Sequence, residues 1–482
     1  MSNHTPADKI AAPALRRNSL GLRHAIIISI AVISPAASIF FNTIPQAGLV
    51  GASIPLCFVI GFVLALLVAN QYSEFSREIP SSGSAYTFVA EGLGTHMSFL
   101  TAWVGLMAIV LGVPYTFVLL SANLQTLMVR WLGLNLPWAF WFVLLLGIAF
   151  AICSWGVRES MNIDLTFFAF EIVICLILAA IVLFHAGQSG SLSLLPFTTA
   201  GVPRNGNIIA GVIFGILSFI GFETAATLGE ETRNPHRNIP RAVFGSMIVV
   251  GIFYILMTYV GTIGYGINHM VNGFANDPAP FDTIGRHYSS PFFVGLIDIA
   301  GLLSFFSAAL AIINGGARIM FTVGRDEILP RWTAWLHPQR QTPVGSITAL
   351  CLFGLLIGLP LGFIMTPIGA FGFLGILDAL FVMVVYVLVC LSSVVFFWRK
   401  RRARFNFVLH GVVPVLALLL MAAIFVLLMI LPEAPPLNLI PYIVLAWLVL
   451  GAVFILGMRR KLAVIGRQEQ VEQQQEVLKP YD

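Results

Sequence analysis

The chain has 482 residues, of which 58% are hydrophobic and only 10% charged, with a net charge of +5. A water-soluble protein of this length carries roughly a quarter charged residues, so a soluble enzyme or binding module is excluded and an all-α membrane protein is indicated. The mean hydropathy of +0.93 agrees, and the positive balance needs no nucleic-acid partner once its placement is read.

Twelve apolar stretches follow one another, each near the ~20 residues that cross a ~30 Å hydrocarbon core. The first six lie in 22–48, 53–71, 98–128, 137–155, 163–185 and 207–228. The second six lie in 243–266, 292–323, 344–361, 367–398, 407–431 and 439–458. The joins at 48–53 and 361–367 demand tight turns. Residues 1–18 and 461–482 read as polar tails, 19–398 as the main membrane domain and 399–460 as two further helices. With the N-terminus inside, the lysines and arginines gather on the cytoplasmic side, "RKRRAR" from Arg399 above all. The exceptions are Arg130, Arg204 and Arg286 outside and Arg318 within the eighth span. That asymmetry puts both termini in the cytoplasm and the chain in the plasma (inner) membrane.

"RRNSLGL" from Arg16 precedes an apolar run too long for a cleaved signal, because it continues into the first span. All five cysteines fall inside apolar stretches and read as small packing residues, so neither a disulfide, a metal site nor a cofactor is called for. The outside loop 267–290, with "ANDPAPFD", is long enough to cap a vestibule.

Two spans are interrupted. The first reads "IIISIAVISPAASIFF", where Pro35 removes an N–H and Ser34, Ala36, Ala37 and Ser38 are small. The sixth reads "FIGFETAA", with Gly221 beside Glu223. Breaks at matching places of two halves point to a transporter's binding site, since irregular backbone at mid-membrane survives only where it lines a cavity or is buried in protein. A proline kink and a glycine packing contact are the plainer alternatives.

Three stretches together resemble the amino acid–polyamine–organocation (APC) permeases. They are "GFETAATLGEETRNPHRNIPRAV" from Gly221, "EFSREIPSSGSAYTFVAEGLG" from Glu74, and "RIMFTVGRDEILPRW" with "HPQRQTPV" after it. The resemblance implies the leucine-transporter-type fold: helices 1–5 and 6–10 as inverted repeats with helices 1 and 6 broken, and helices 11 and 12 peripheral. It also implies substrate between the two breaks, alternating access, and proton symport or exchange of amino acids or amines. Members commonly offer helix 1 amides, in a glycine-rich turn, to a substrate carboxylate; Ala36, Ala37 and Ser38 stand there here, which favours a less ordinary substrate. Several relatives close the site with an aromatic residue where this chain has Leu217, and Phe219 or Phe222 is a substitute.

The substrate-binding candidates are therefore Ser34, Ala36, Ala37, Ser38, Ile39, Leu217, Phe219, Gly221, Phe222 and Glu223, with Tyr115 added after Pro114. Four carboxylates lie within spans, and a charge at a helix centre costs about 2.5–3.5 kcal/mol. Glu223 and Glu171 are candidates for proton coupling or for structural hydrogen bonds. Asp298 and Asp378, in the outer halves of their spans, are vestibule candidates or pair with a hydroxyl or Arg318. Ser304 and Ser307 leave sodium coupling open. The acid excess suits a cationic or zwitterionic solute. The function expected is a secondary active transporter of amino acids or related amines. The alternatives are a polyamine or monoamine permease and, from another class, a non-transporting sensor or an intramembrane enzyme built on "GASI" at Gly51.

Overall fold

A computed structural model describes residues 21–457 except 82, 156, 230–231, 326–328, 341 and 431–434. The two tails, and Glu230 and Glu231 of the sixth-span motif, lie outside the described residues. Those described form helices and loops without a strand, and eleven helices are long and apolar enough to cross a membrane.

The expected twelve differ from these eleven at the start of the chain. α1 (Leu22–Ile33) ends at Ser34, whose φ of 50° and ψ of 71° are left-handed. Pro35 then opens α2 (Pro35–Ala37), at the helical position where a missing N–H matters least. A wider π turn, Ser38–Asn42, leads into α3 (Thr43–Val50), a tight turn at Gly51–Ser53 and α4 (Ile54–Glu78). The continuous run Pro35–Glu78 has 44 residues, roughly 66 Å of helix and about twice one crossing. Gly51 makes the turn possible: its φ is +56°, and a Cβ would lie 2.6 Å from the Gly201 carbonyl oxygen.

α5 (Ala85–Leu93), α6 (Thr95–Leu132), α7 (Trp138–Trp155) and α8 (Val157–Gln188) follow. The sixth apolar stretch divides into α9 (Ile208–Phe219) and the short α10 (Thr224–Thr227). Next come α11 (Pro235–Tyr265), the loop helix α12 (Pro280–Tyr288), α13 (Pro291–Arg325), α14 (Val344–Met365) and α15 (Pro367–Arg399). A single residue, Thr366, turns α14 into α15, as the short join required. A second π turn, Phe407–Val412, precedes α16 (Val413–Ile430), and α17 (Ile440–Gly457) is last.

α16 and α17 are peripheral: 22% and 17% of their spans is buried, against 72% for α6. In the interior α4 packs on α11 and α9, α6 on α13, α14 and α15, and α8 on α13. The α4–α9 contact brings backbones together, since a Cβ on Gly61 would meet the Gly215 carbonyl carbon at 2.9 Å. The five cysteines are buried thiols inside this packing. Ser53 of "GASI" is spent on structure: its hydroxyl donates to the Thr198 carbonyl at 2.7 Å.

Two motif loops and the α15 end meet on one basic face. Glu78 takes Arg401 at 2.9 Å and Arg404 at 2.6 Å, Lys400 reaches Glu91 at 2.8 Å, and His236 binds the Arg77 carbonyl at 2.7 Å. His410, at the start of the eleventh apolar stretch, is engaged by α4. The Asn406 N–H donates to its Nδ1 at 2.9 Å, so the proton sits on Nε2 and is donated to Glu74 at 3.1 Å.

Candidate functional site

An interrupted helix leaves backbone donors and acceptors without intrahelical partners, and inside a bilayer each must be satisfied by protein. At the first break the partners come from α8 and α13. The Ala37 N–H donates to Ser304 Oγ at 2.9 Å, and the Glu171 carboxyl meets the Ala36 amide and the Ser304 hydroxyl. The Ser38 hydroxyl lies 3.4 Å from the Ile33 carbonyl on its own helix and 3.5 Å from the Ser218 carbonyl across the gap.

At the second break, side chains from three other segments donate to acceptors at and just past the end of α9. Ser218 O accepts the Tyr254 hydroxyl at 2.7 Å, Ser218 Oγ accepts Asn42 Nδ2 at 2.8 Å, and Phe222 O accepts the Ser29 hydroxyl at 3.1 Å. Gly221 has φ +111°, a backbone conformation that side chains resist. Its N–H donates to Glu223 Oε2 at 3.0 Å, and the Tyr386 hydroxyl donates to the same oxygen at 3.2 Å. The two breaks therefore lie side by side and are stitched together by Ser29, Ser38 and Asn42.

Ser38, Gly221, Glu223 and Tyr115 keep some accessible surface, whereas Ser34, Ala36, Ala37, Ile39, Leu217 and Phe222 are buried. Phe222 meets Tyr72 at 5.5 Å and Tyr386 at 5.7 Å. Phe219 lies on another side of the helix, against Phe62 at 5.7 Å and Tyr254 at 5.0 Å. Leu217 faces Gly375 of α15, 3.2 Å from where a Cβ would stand.

Asp298 and Asp378, read alike from the sequence, part company. Asp298 accepts Trp131 Nε1–H at 2.8 Å and lies 4.0 Å from Arg130. Its base is thus Arg130; Arg318, an exposed residue of α13, is about 30 Å further along that helix. Arg130 also pairs with Asp282, which Arg286 reaches at 3.2 Å. Burial pushes the Asp282 carboxyl above its ordinary value, although Arg130 and Arg286 pull the other way. Asp378 is buried at 4% exposure, with the Tyr115 hydroxyl as its neighbour.

Aromatic rings close the space on the α12 side. Phe40 stacks on Phe281 of α12 at 4.6 Å, and Phe41 stacks on Phe305 at 4.3 Å. Tyr386, Tyr254, Asn42, Ser218 and Arg130 were missed in the sequence. Only Asn42 carried a readable signal, as an amide in the apolar run after the first break.

The family model for amino acid permeases matches residues 20–454. The chain belongs to the amino acid permease family. This permease is 26% identical to the branched-chain amino acid permease of Bacillus subtilis (strain 168) over 63% of its own chain and 67% of that protein. It is 28% identical to the chloroplastic cationic amino acid transporter 6 of Arabidopsis thaliana, over 63% of its chain and 54% of the plant protein. To the low-affinity putrescine importer of Escherichia coli (strain K12) it is 24% identical, over 70% and 74%. The resemblance read from the three motifs thus holds, and the permease is an integral, multi-pass membrane protein.

Proposed function

We propose that the permease is a secondary active transporter carrying amino acids or related amines across the plasma membrane by alternating access, with both termini in the cytoplasm. The observation that supports this most is the pair of breaks at 34–42 and 219–224, set side by side with Glu171 at one and Glu223 at the other. The transport core is 19–398, arranged as two inverted five-helix repeats, with 399–460 packed outside it and a cytoplasmic tail at each end. Proton-coupled symport or exchange fits best, because a carboxyl at each break can take a proton where substrate binds. A sodium site is less well supported: Ser304 is engaged by the Ala37 N–H, so an amide rather than a carbonyl faces it.

One observation favours the amine reading. The amides of Ala36 and Ala37, where the family resemblance puts a substrate carboxylate, already hold Glu171 and Ser304. An anionic headgroup there meets a carboxyl, whereas an ammonium group complements it. The test is uptake into proteoliposomes of labelled leucine, lysine and putrescine, with and without an imposed proton gradient. Saturable, gradient-stimulated uptake of at least one is expected; no saturable uptake of any amino acid or amine rejects transport.

A further inference from the structure

Resting on the transporter reading, we propose that Asp378, presented by Tyr115, is a second carboxylate of the substrate pocket and sets a preference for solutes with two positively charged groups. Asp378 and Tyr386 are on one helix, α15, about 12 Å apart along its axis. The Tyr386 hydroxyl bonds Glu223 at 3.2 Å, so the two carboxyls stand at different levels along α15. They are close enough to interact electrostatically.

The surroundings fit a two-ended ligand. Above Asp378, Tyr115 packs edge-on to Phe371 at 5.6 Å, and Phe371 continues through Phe305 to Phe41, the seal on the α12 side. Beside it, Gly375 and Leu217 supply an apolar wall. Among the described residues no lysine, arginine or histidine pairs with Asp378 or Glu223, in contrast with Asp282 and Asp298 nearer the surface, which share Arg130. A buried carboxylate without a counter-charge is strongly unfavourable. One ammonium group answers one of the pair and leaves the other; two, joined by a few methylenes, answer both and place their linker against Leu217. Tyr115 is the positioning residue, its hydroxyl holding one edge of the Asp378 carboxyl.

The experiment measures binding to the purified permease in detergent by calorimetry, with putrescine, lysine and leucine as probes, independently of uptake. Wild type is expected to bind putrescine or lysine roughly tenfold or more tightly than leucine. Asp378→Asn should erase most of that ratio by weakening putrescine and lysine far more than leucine, Asp378→Glu should restore it, and Tyr115→Phe should reduce it by a smaller factor. A wild type that prefers leucine overturns the inference, as does an Asp378→Asn variant that weakens all three probes by one common factor. Should Asp378→Asn fail to fold, an unchanged ratio in Tyr115→Phe also overturns it. Because binding is read apart from uptake, these outcomes are distinct from a failure of the transporter reading.

Discussion

Replacing Glu223 by glutamine removes one ionisable group and almost no shape. Glu223 Oε2 receives two hydrogen bonds, from the Gly221 N–H at 3.0 Å and the Tyr386 hydroxyl at 3.2 Å. The glutamine carbonyl oxygen, standing where Oε2 stands, has two lone pairs and can accept both. The break should therefore survive, with a stability change within ~1 kcal/mol. Alanine at the same place strands both donors, and each buried unpaired group costs about 1–3 kcal/mol, giving roughly 2–6 kcal/mol in all. Two measurements on each variant separate holding from coupling: thermal unfolding in detergent, and proteoliposome uptake of a transported probe with and without a proton gradient, alongside counterflow exchange. Glu223→Gln is expected to melt near the wild type, to lose gradient-driven accumulation and to retain exchange; Glu223→Ala should melt well below both. Wild-type accumulation by Glu223→Gln refutes the assignment of Glu223 as a proton site. A glutamine variant as unstable as alanine shows that the carboxylate itself holds the break.

The α4–α9 contact gives a second expectation. In Gly215→Ala the new Cβ would sit 2.7 Å from the Cys57 carbonyl oxygen, so α9 must move by several tenths of an ångström, at about 1–3 kcal/mol; thermal unfolding checks this, and an unchanged melting temperature would contradict the close approach. The α12 cluster gives a third. Because the folded Asp282 carboxyl titrates above its ordinary value, its contribution is fully present below the unfolded value of ~3.9 and is lost as pH rises through the folded one. The melting temperature should therefore carry a component that falls with rising pH in this window and is missing from Asp282→Asn; equal slopes in both proteins would reject it.

What the sequence carried was what short-range chemistry can write. Apolar stretches fixed the helices, and Pro35 and Gly221 marked the breaks, because each alters the backbone at its own position. The three loop motifs carried the family. Partnerships across the chain were not legible: Ser304 lies 267 residues from the Ala37 amide it accepts, and Tyr386 lies 163 from Glu223. Asp298 and Asp378 looked equivalent because position along a span gives depth alone. One turned out to share the α6 arginine, the other to lie under the aromatic seal beside Tyr115. Phe219 was misplaced for a related reason, since α9 stops at that residue and helical periodicity no longer says where its ring points. Eleven and twelve differ at the tight turn after α3, which the sequence marked at 48–53 and across which Pro35–Glu78 runs as one 44-residue helical stretch.

The π turn at Ser38–Asn42 has a mechanical consequence. Its successive residues Phe40 and Phe41 point in different directions, as neighbours on a helix do, and stack on Phe281 of the loop helix and Phe305 of α13. In the alternating access proposed above, a passage opening on the α12 side would part both stacks, together worth about 1–3 kcal/mol beyond simple burial. That alone biases the closed form by roughly fivefold to a hundredfold. The α12 side is thus held by these ring stacks together with the ion pair that ties Asp282 of α12 to Arg130 of α6.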